Sequence, residues 1–157
     1  YNMNAYSQLL RYIKELVEQD SYITTVLNRV PEDFDWEKGN IFPIFNISAI
    51  EGSLTSTATV LFSIELTCVD IRMINKEIVN DKFWDNDNSV DNHNATLASL
   101  AAVWTKMNRD FVKNNITASD NPTINQIDFA GANLYDGWTM SFDVEMPIYE
   151  VSLCTNV

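Results

Sequence analysis

The stretch Ala58–Met73, ATVLFSIELTCVDIRM, decides how the rest of the chain is read. Val60, Phe62, Ile64, Leu66 and Cys68 are apolar, and Ser63, Glu65 and Thr67 between them are polar. A strand puts alternate side chains on opposite faces, so the pattern predicts one long β-strand with a buried side and a wet side. After Cys68 the phase slips: Val69, Ile71 and Met73 become the apolar positions, Asp70 and Arg72 the polar ones. A β-bulge explains such a slip, and so does an exchange of one packing surface for another.

Upstream, Phe45, Ile47 and Ala49 alternate with Asn46 and Ser48, which predicts a half-buried strand over Ile44–Ile50. Pro43 has no N–H to give to a ladder, so that strand starts there or lies at an edge. Glu51–Thr57, with Gly52 and several hydroxyl residues, reads as a turn or loose hairpin loop, and two strands this close are most simply antiparallel. Before them, Tyr6, Leu9, Leu10, Ile13, Leu16 and Val17 recur at three and four, the stripe of an amphipathic helix over Asn4–Glu18. Tyr22–Val30 is rich in β-branched residues and reads as a short strand or a hooked extended segment.

Downstream, Asn75–Asn94 is the most polar segment. From Ala95, Leu97, Leu100, Val103 or Trp104, Met107 and Phe111 repeat at helical spacing, with Asp91, Asn92 or Asn94 available as the cap. Asn114–Pro122 is a break, and Ile124, Ile127 and Phe129 suggest a strand before the turn-like Ala130–Asn133. The cleanest alternation comes last, over Gly137–Met146: Trp138, Met140, Phe142, Val144 and Met146 point inward, Thr139, Ser141, Asp143 and Glu145 outward. The order predicts a single α+β domain over residues 1–157, a mainly antiparallel sheet of four to five strands with two main helices on one face.

A length of 157 residues suits one domain with a core of its own. A formal charge of −12 repels phosphates, so gripping nucleic acid is not expected of this surface, although DNA can slide past an acidic wall. Cys68 and Cys154 form no disulfide framework or zinc spacing, and the absence of a long apolar run or a leader predicts a soluble protein made in the cytosol. Asp85, Asp87, Ser89 and Asp91 alternate as the first ligands of a calcium loop do. Val90 stands where such a loop needs glycine and Thr96 where it needs glutamate, so Asp85, Asp87 and Asp91 read as an acidic exposed loop without metal. His93 is the single histidine, set among asparagines in what reads as an exposed capping segment, with no oriented nucleophile beside it. No cofactor and no catalytic residue is expected. Trp36 is different: a large ring beside Asp35, Glu37 and Lys38 either plugs its own core or meets a neighbour. Phe34, Asp35, Trp36, Lys38 and Pro43 are therefore candidate subunit-interface residues.

Several of these stretches together resemble the tail-terminator-like group of bacteriophage neck and tail-completion proteins. They are the aromatic-flanked first helix, DFDWEKGNIFP (Asp33–Pro43), TCVDI (Thr67–Ile71), the Asp/Asn-rich entry to the second helix and GWTMSFDVEMP (Gly137–Pro147). The resemblance implies an α+β subunit of a hexameric or dodecameric homo-oligomeric ring that caps a growing tail or joins it to the portal complex. It further implies portal, neck and tail-tube proteins as neighbours, a channel through which DNA passes without being bound specifically, no membrane partner, and a place in the virion after synthesis in the host bacterial cytoplasm. It carries no catalytic residues to transfer. The rival expectation is a non-enzymatic binding module, of a baseplate or non-viral, whose exposed sheet edge takes up a peptide strand; an enzyme comes third.

Overall fold

The structure is a computed structural model and describes residues 5–28, 42–72, 89–114, 116–119, 121–130 and 134–148. Helix α1 (Ala5–Glu18) buries Ala5, Leu9, Tyr12, Ile13, Leu16 and Val17, the apolar stripe read from the sequence shifted slightly around its axis. The helix ends in a turn in which the Asp20 carboxylate accepts the Tyr22 N–H at 2.9 Å. The chain then forms β1 (Thr25–Leu27), which is parallel to β2 (Ile44–Leu54); the N–H groups of Thr24 and Thr25 both donate to the Pro43 carbonyl. The β-branched segment after Tyr22 thus contains a three-residue strand, and Arg29 and Val30 lie outside the described residues.

β2 is longer than its sequence pattern predicts. Glu51–Leu54, read as a loop, continues the strand, and the turn to β3 (Thr59–Ile71) is confined to residues 55–58. Gly52 and Ser53 are poor strand residues on their own, but every one of these positions has a partner on β3 to hold it. Ala58 sits in the turn at φ 58°, a conformation that costs an L-residue about 1–2 kcal/mol. Ala58→Gly is therefore expected to raise stability by up to about 1 kcal/mol after the extra unfolded-state entropy of glycine is deducted, measurable as a higher urea midpoint.

β3 is the central strand. It pairs antiparallel with β2 on one side and with β6 (Leu134–Pro147) on the other, in unbroken register from Thr59↔Pro147 to Ile71↔Tyr135. β6 begins three residues earlier than the alternation predicts. On its far side it pairs with β5 (Thr123–Ala130) and then with the two-residue β4 (Thr117–Ala118), which falls in the stretch read as a break. Among the described residues the sheet has six strands, β1-β2-β3-β6 and then β5 and β4 side by side. The short β1 is the fifth of the expected four to five strands, and β4 is the sixth.

α1 and α2 (Ser89–Lys113) both pack on one face. Leu100, Val103, Met107 and Phe111 of α2 meet Val60, Ile64 and Leu66 of β3 and Met140, Phe142, Val144 and Met146 of β6, with the Trp104 and Phe142 rings 5.2 Å apart. The inward set predicted for the last strand is observed, with Trp138 half-buried. Between the helices, the buried Tyr12 hydroxyl donates to the fully buried Asp110 at 2.5 Å. Burial first, and then this bond to Asp110, push the Tyr12 phenol well above its ordinary value of 10.0. Such a group stabilises the fold fully below the unfolded pKa, and that stability is lost as pH climbs from about 10 toward the raised folded value. Urea titrations between about pH 10 and 11 should accordingly show the wild type losing about 1 kcal/mol more stability than Tyr12→Phe over that unit, since the unfolded phenol goes from about half to about nine-tenths ionised there. Equal slopes would remove Tyr12 from the alkaline-sensitive groups.

The phase slip after Cys68 is an exchange of surfaces. Neither pairing of β3 is interrupted there, and the register shift in the sheet lies instead between Ala49 and Glu51 of β2, where Ile50 is the extra residue. At this end of the sheet the face away from the helices becomes apolar: Ile44, Val69 and Tyr135 are buried together, joined by Leu27, Phe42 and Ile127. The helix-side face becomes ionic at the same level.

Candidate functional site

Asp70 of β3, Asp136 of β6 and Asp128 of β5 are direct register partners, so three carboxylates stand in a row across the helix-side face. Like charges directly opposite repel, and the row exists because each member is held. Arg72 donates Nε–H to Asp136 Oδ2 at 3.0 Å and Nη2–H to Asp136 Oδ1 and to Asp128 Oδ1. Asn92 of α2 donates to the Ile71 carbonyl at 3.0 Å and to Asp136 at 3.4 Å. Asp70 accepts the Tyr22 hydroxyl at 2.6 Å, which, after burial, is the chief reason that phenol is also pushed up. Asp136 is fully buried, and pairing with it raises the Arg72 guanidinium further. The row is a tie between the sheet and the start of α2 rather than an acid–base pair: its most buried carboxylate is committed to a guanidinium.

His93 belongs to the same tie. The sequence pattern places a cap in the Asp/Asn-rich entry before Ala95, but α2 begins at Ser89, so Asp91, Asn92 and Asn94 lie within the helix. The reason is tertiary: Asn92 is buried against Asp136, and His93, read as exposed, is half-buried with Nε2 2.9 Å from the Ile127 carbonyl. The Trp138 indole N–H donates to the His93 carbonyl at 2.8 Å, fixing α2 on β6. Asp91 is exposed in the first helical turn, where a carboxylate suits the helix dipole, and not in a loop.

The other place of interest is the sheet face away from the helices. β4 pairs at Val144 and Glu145 and β5 takes over only at Ser141, so among the described residues Phe142 and Asp143 have no strand on that side. Ser119 fills the gap, its hydroxyl accepting the Asp143 N–H at 2.7 Å and its N–H donating to the Asp143 carbonyl at 3.0 Å. This gap and the Ile50 bulge leave a trough of about 350 Å³ across the strands, lined by Ile50, Ser63, Ser119, Thr123, Ser141 and Asp143. Ser63 donates to Asp143 Oδ1 at 2.8 Å, and next to it Thr59 donates to Glu145 at 2.9 Å. Among the described residues the strands of the sheet carry no Lys, Arg or His, so this face is hydroxyl-rich and acidic.

Pro43 is half-buried and its carbonyl holds β1 within its own chain. Phe34, Asp35, Trp36, Lys38, Asp85 and Asp87 lie outside the described residues. Buried Cys68 carries a thiol pushed well above its usual range by desolvation, which makes it a packing residue and a poor nucleophile. Among the described residues no group of three His, Cys, Asp or Glu converges as a ligand set, and no helix is long and apolar enough to cross a membrane. The chain matches no family model and no curated protein.

Proposed function

We propose that the chain is a non-enzymatic structural subunit of a bacteriophage neck or tail, assembling into a ring that completes the tail or joins it to the portal complex and leaves a channel for DNA. The observation that carries this reading is the outer edge of β5. Thr123–Ala130 pairs with β6 on one side, and among the described residues no strand lies on the other. The strand contains neither Lys nor Pro, and Ile124 is 45% exposed. Soluble monomers guard such an edge; an assembling subunit has it covered by its neighbour. A formal charge of −12 suits a subunit that surrounds a channel, because phosphates slide past carboxylates without sticking. The sequence resemblance points the same way.

The same edge favours a second reading, a binding module that adds a peptide strand. Light scattering and negative-stain images of the purified chain separate the two: a ring subunit forms closed rings unaided and copurifies with virions, whereas a module stays monomeric until a ligand is added. In the ring reading the Trp36–Lys38 connection lies at the subunit boundary. The double variant Trp36→Ala with Lys38→Glu is then expected to keep the wild-type circular dichroism and lose incorporation into particles, leaving filled heads without joined tails. Infectious particles from that variant would return Trp36 to its own core.

A further inference from the structure

Charge is divided between the two layers of this molecule. Among the described residues every Lys and Arg except Arg72 stands on α1 or α2, while the strands carry acids and no base. Lys106, Arg109 and Lys113 follow one another at three and four residues, so they form one stripe along the last turns of α2. Neither Lys106 nor Lys113 has an ion-pair partner among the described residues, and Arg109 reaches only Asp110, at 3.7 Å. Beside the stripe Val112 is 75% exposed. The trough on the opposite side of the molecule has the converse make-up: Ile50, 58% exposed, stands with Asp143 and with the neighbouring Glu51, and the second oxygen of Asp143 has no partner among the described residues.

We propose that the trough receives the last turns of α2 from a second copy of this chain, Val112 against Ile50 and the Lys106, Arg109 and Lys113 stripe against Glu51 and Asp143. An apolar contact ringed by opposite charges is the usual anatomy of a specific interface. The two surfaces differ and lie on opposite layers, so the contact is heterologous: each copy offers its helix to one neighbour and its trough to the other, and in the ring reading the series closes on itself. The inference rests on the ring reading and identifies the two surfaces that meet. A helix docked there also lies beside Thr123, where the open β5 edge begins.

The test is a set of charge reversals in the full chain, followed by light scattering over a concentration series at low and high salt, with circular dichroism to check folding. Glu51→Lys with Asp143→Lys makes the trough basic; Arg109→Glu with Lys113→Glu makes the stripe acidic. Each pair alone is expected to raise the concentration needed for assembly by at least about tenfold. Mixing the two variants in equal amounts, or combining all four changes in one chain, restores complementarity and is expected to restore assembly. Wild-type assembly should weaken with salt. If the wild type forms rings and neither reversal affects them, this contact is overturned and the ring reading stands. If the wild type stays monomeric at every concentration, both fall. Should a reversal unfold the chain, Asp143→Asn and Arg109→Gln carry the same test, the expected result being assembly that has lost part of its salt dependence.

Discussion

Gly137→Ala is expected to be among the most damaging single-atom additions to this chain. A Cβ at position 137 would lie 2.0 Å from the Cys68 carbonyl oxygen and 2.8 Å from the Val69 Cα. These are backbone atoms of the central strand, so no rotamer change relieves the clash, and the β3–β6 pairing has to open where Val69 faces Gly137. Overpacking normally costs about 1–3 kcal/mol, and a backbone clash in the longest pairing of the sheet belongs at or above the top of that range. Gly52→Ala is the internal control: its Cβ would meet the Phe62 ring at 3.4 Å, an ordinary contact, and the urea midpoint should hardly move. Equal midpoints for the two variants would mean that β3 and β6 do not approach as closely at Gly137 as described.

Arg72→Ala should cost about 3–5 kcal/mol, because it leaves Asp136 fully buried without its guanidinium. What is left beside that carboxylate is one hydrogen bond from Asn92, at 3.4 Å, and the His93 ring, with Nε2 3.8 Å from Oδ1. Adding Asp136→Asn to Arg72→Ala removes the stranded charge and is expected to recover a large part of the loss, a coupling that a double-mutant cycle measures directly. A change within about 0.5 kcal/mol for Arg72→Ala would show the row of aspartates to be solvated.

Much of the architecture was legible in the sequence because alternation and helical spacing report burial of one face, and most of this sheet buries one face. The pattern fails where that premise fails. Asp70, Asp128 and Asp136 keep the helix-facing phase but are polar, since that end of the sheet meets the ionic start of α2; Val69 and Tyr135 are apolar in the other phase, since the opposite face is covered there. The slip at Cys68 announced this exchange, but which of the two explanations held depended on pairings with β6, far along the chain. Asn92 and His93 look like caps to any local rule, and only Asp136 and Ile127 make them helix-interior residues. The trough left no sequence signal at all: it follows from the Ile50 bulge and from where β4 stops and β5 begins, both matters of register.

The pairing of β3 on its two sides also bears on how the protein is made. With β2 it closes through a four-residue turn, while its ties to β6 join residues as far apart as Arg72 and Asp136, 64 positions, and Thr59 and Glu145, 86 positions. Contacts of such separation form slowly, because the entropy of closing the loop is lost before the pairing rewards it. A chain emerging from the ribosome therefore completes the β2–β3 hairpin early and presents the other edge of its most apolar strand until β6 is synthesised. During that interval nascent copies on one messenger can pair with each other through β3, so the yield of folded subunit should fall when translation stalls between α2 and β6 and rise with chaperones that hold exposed strands.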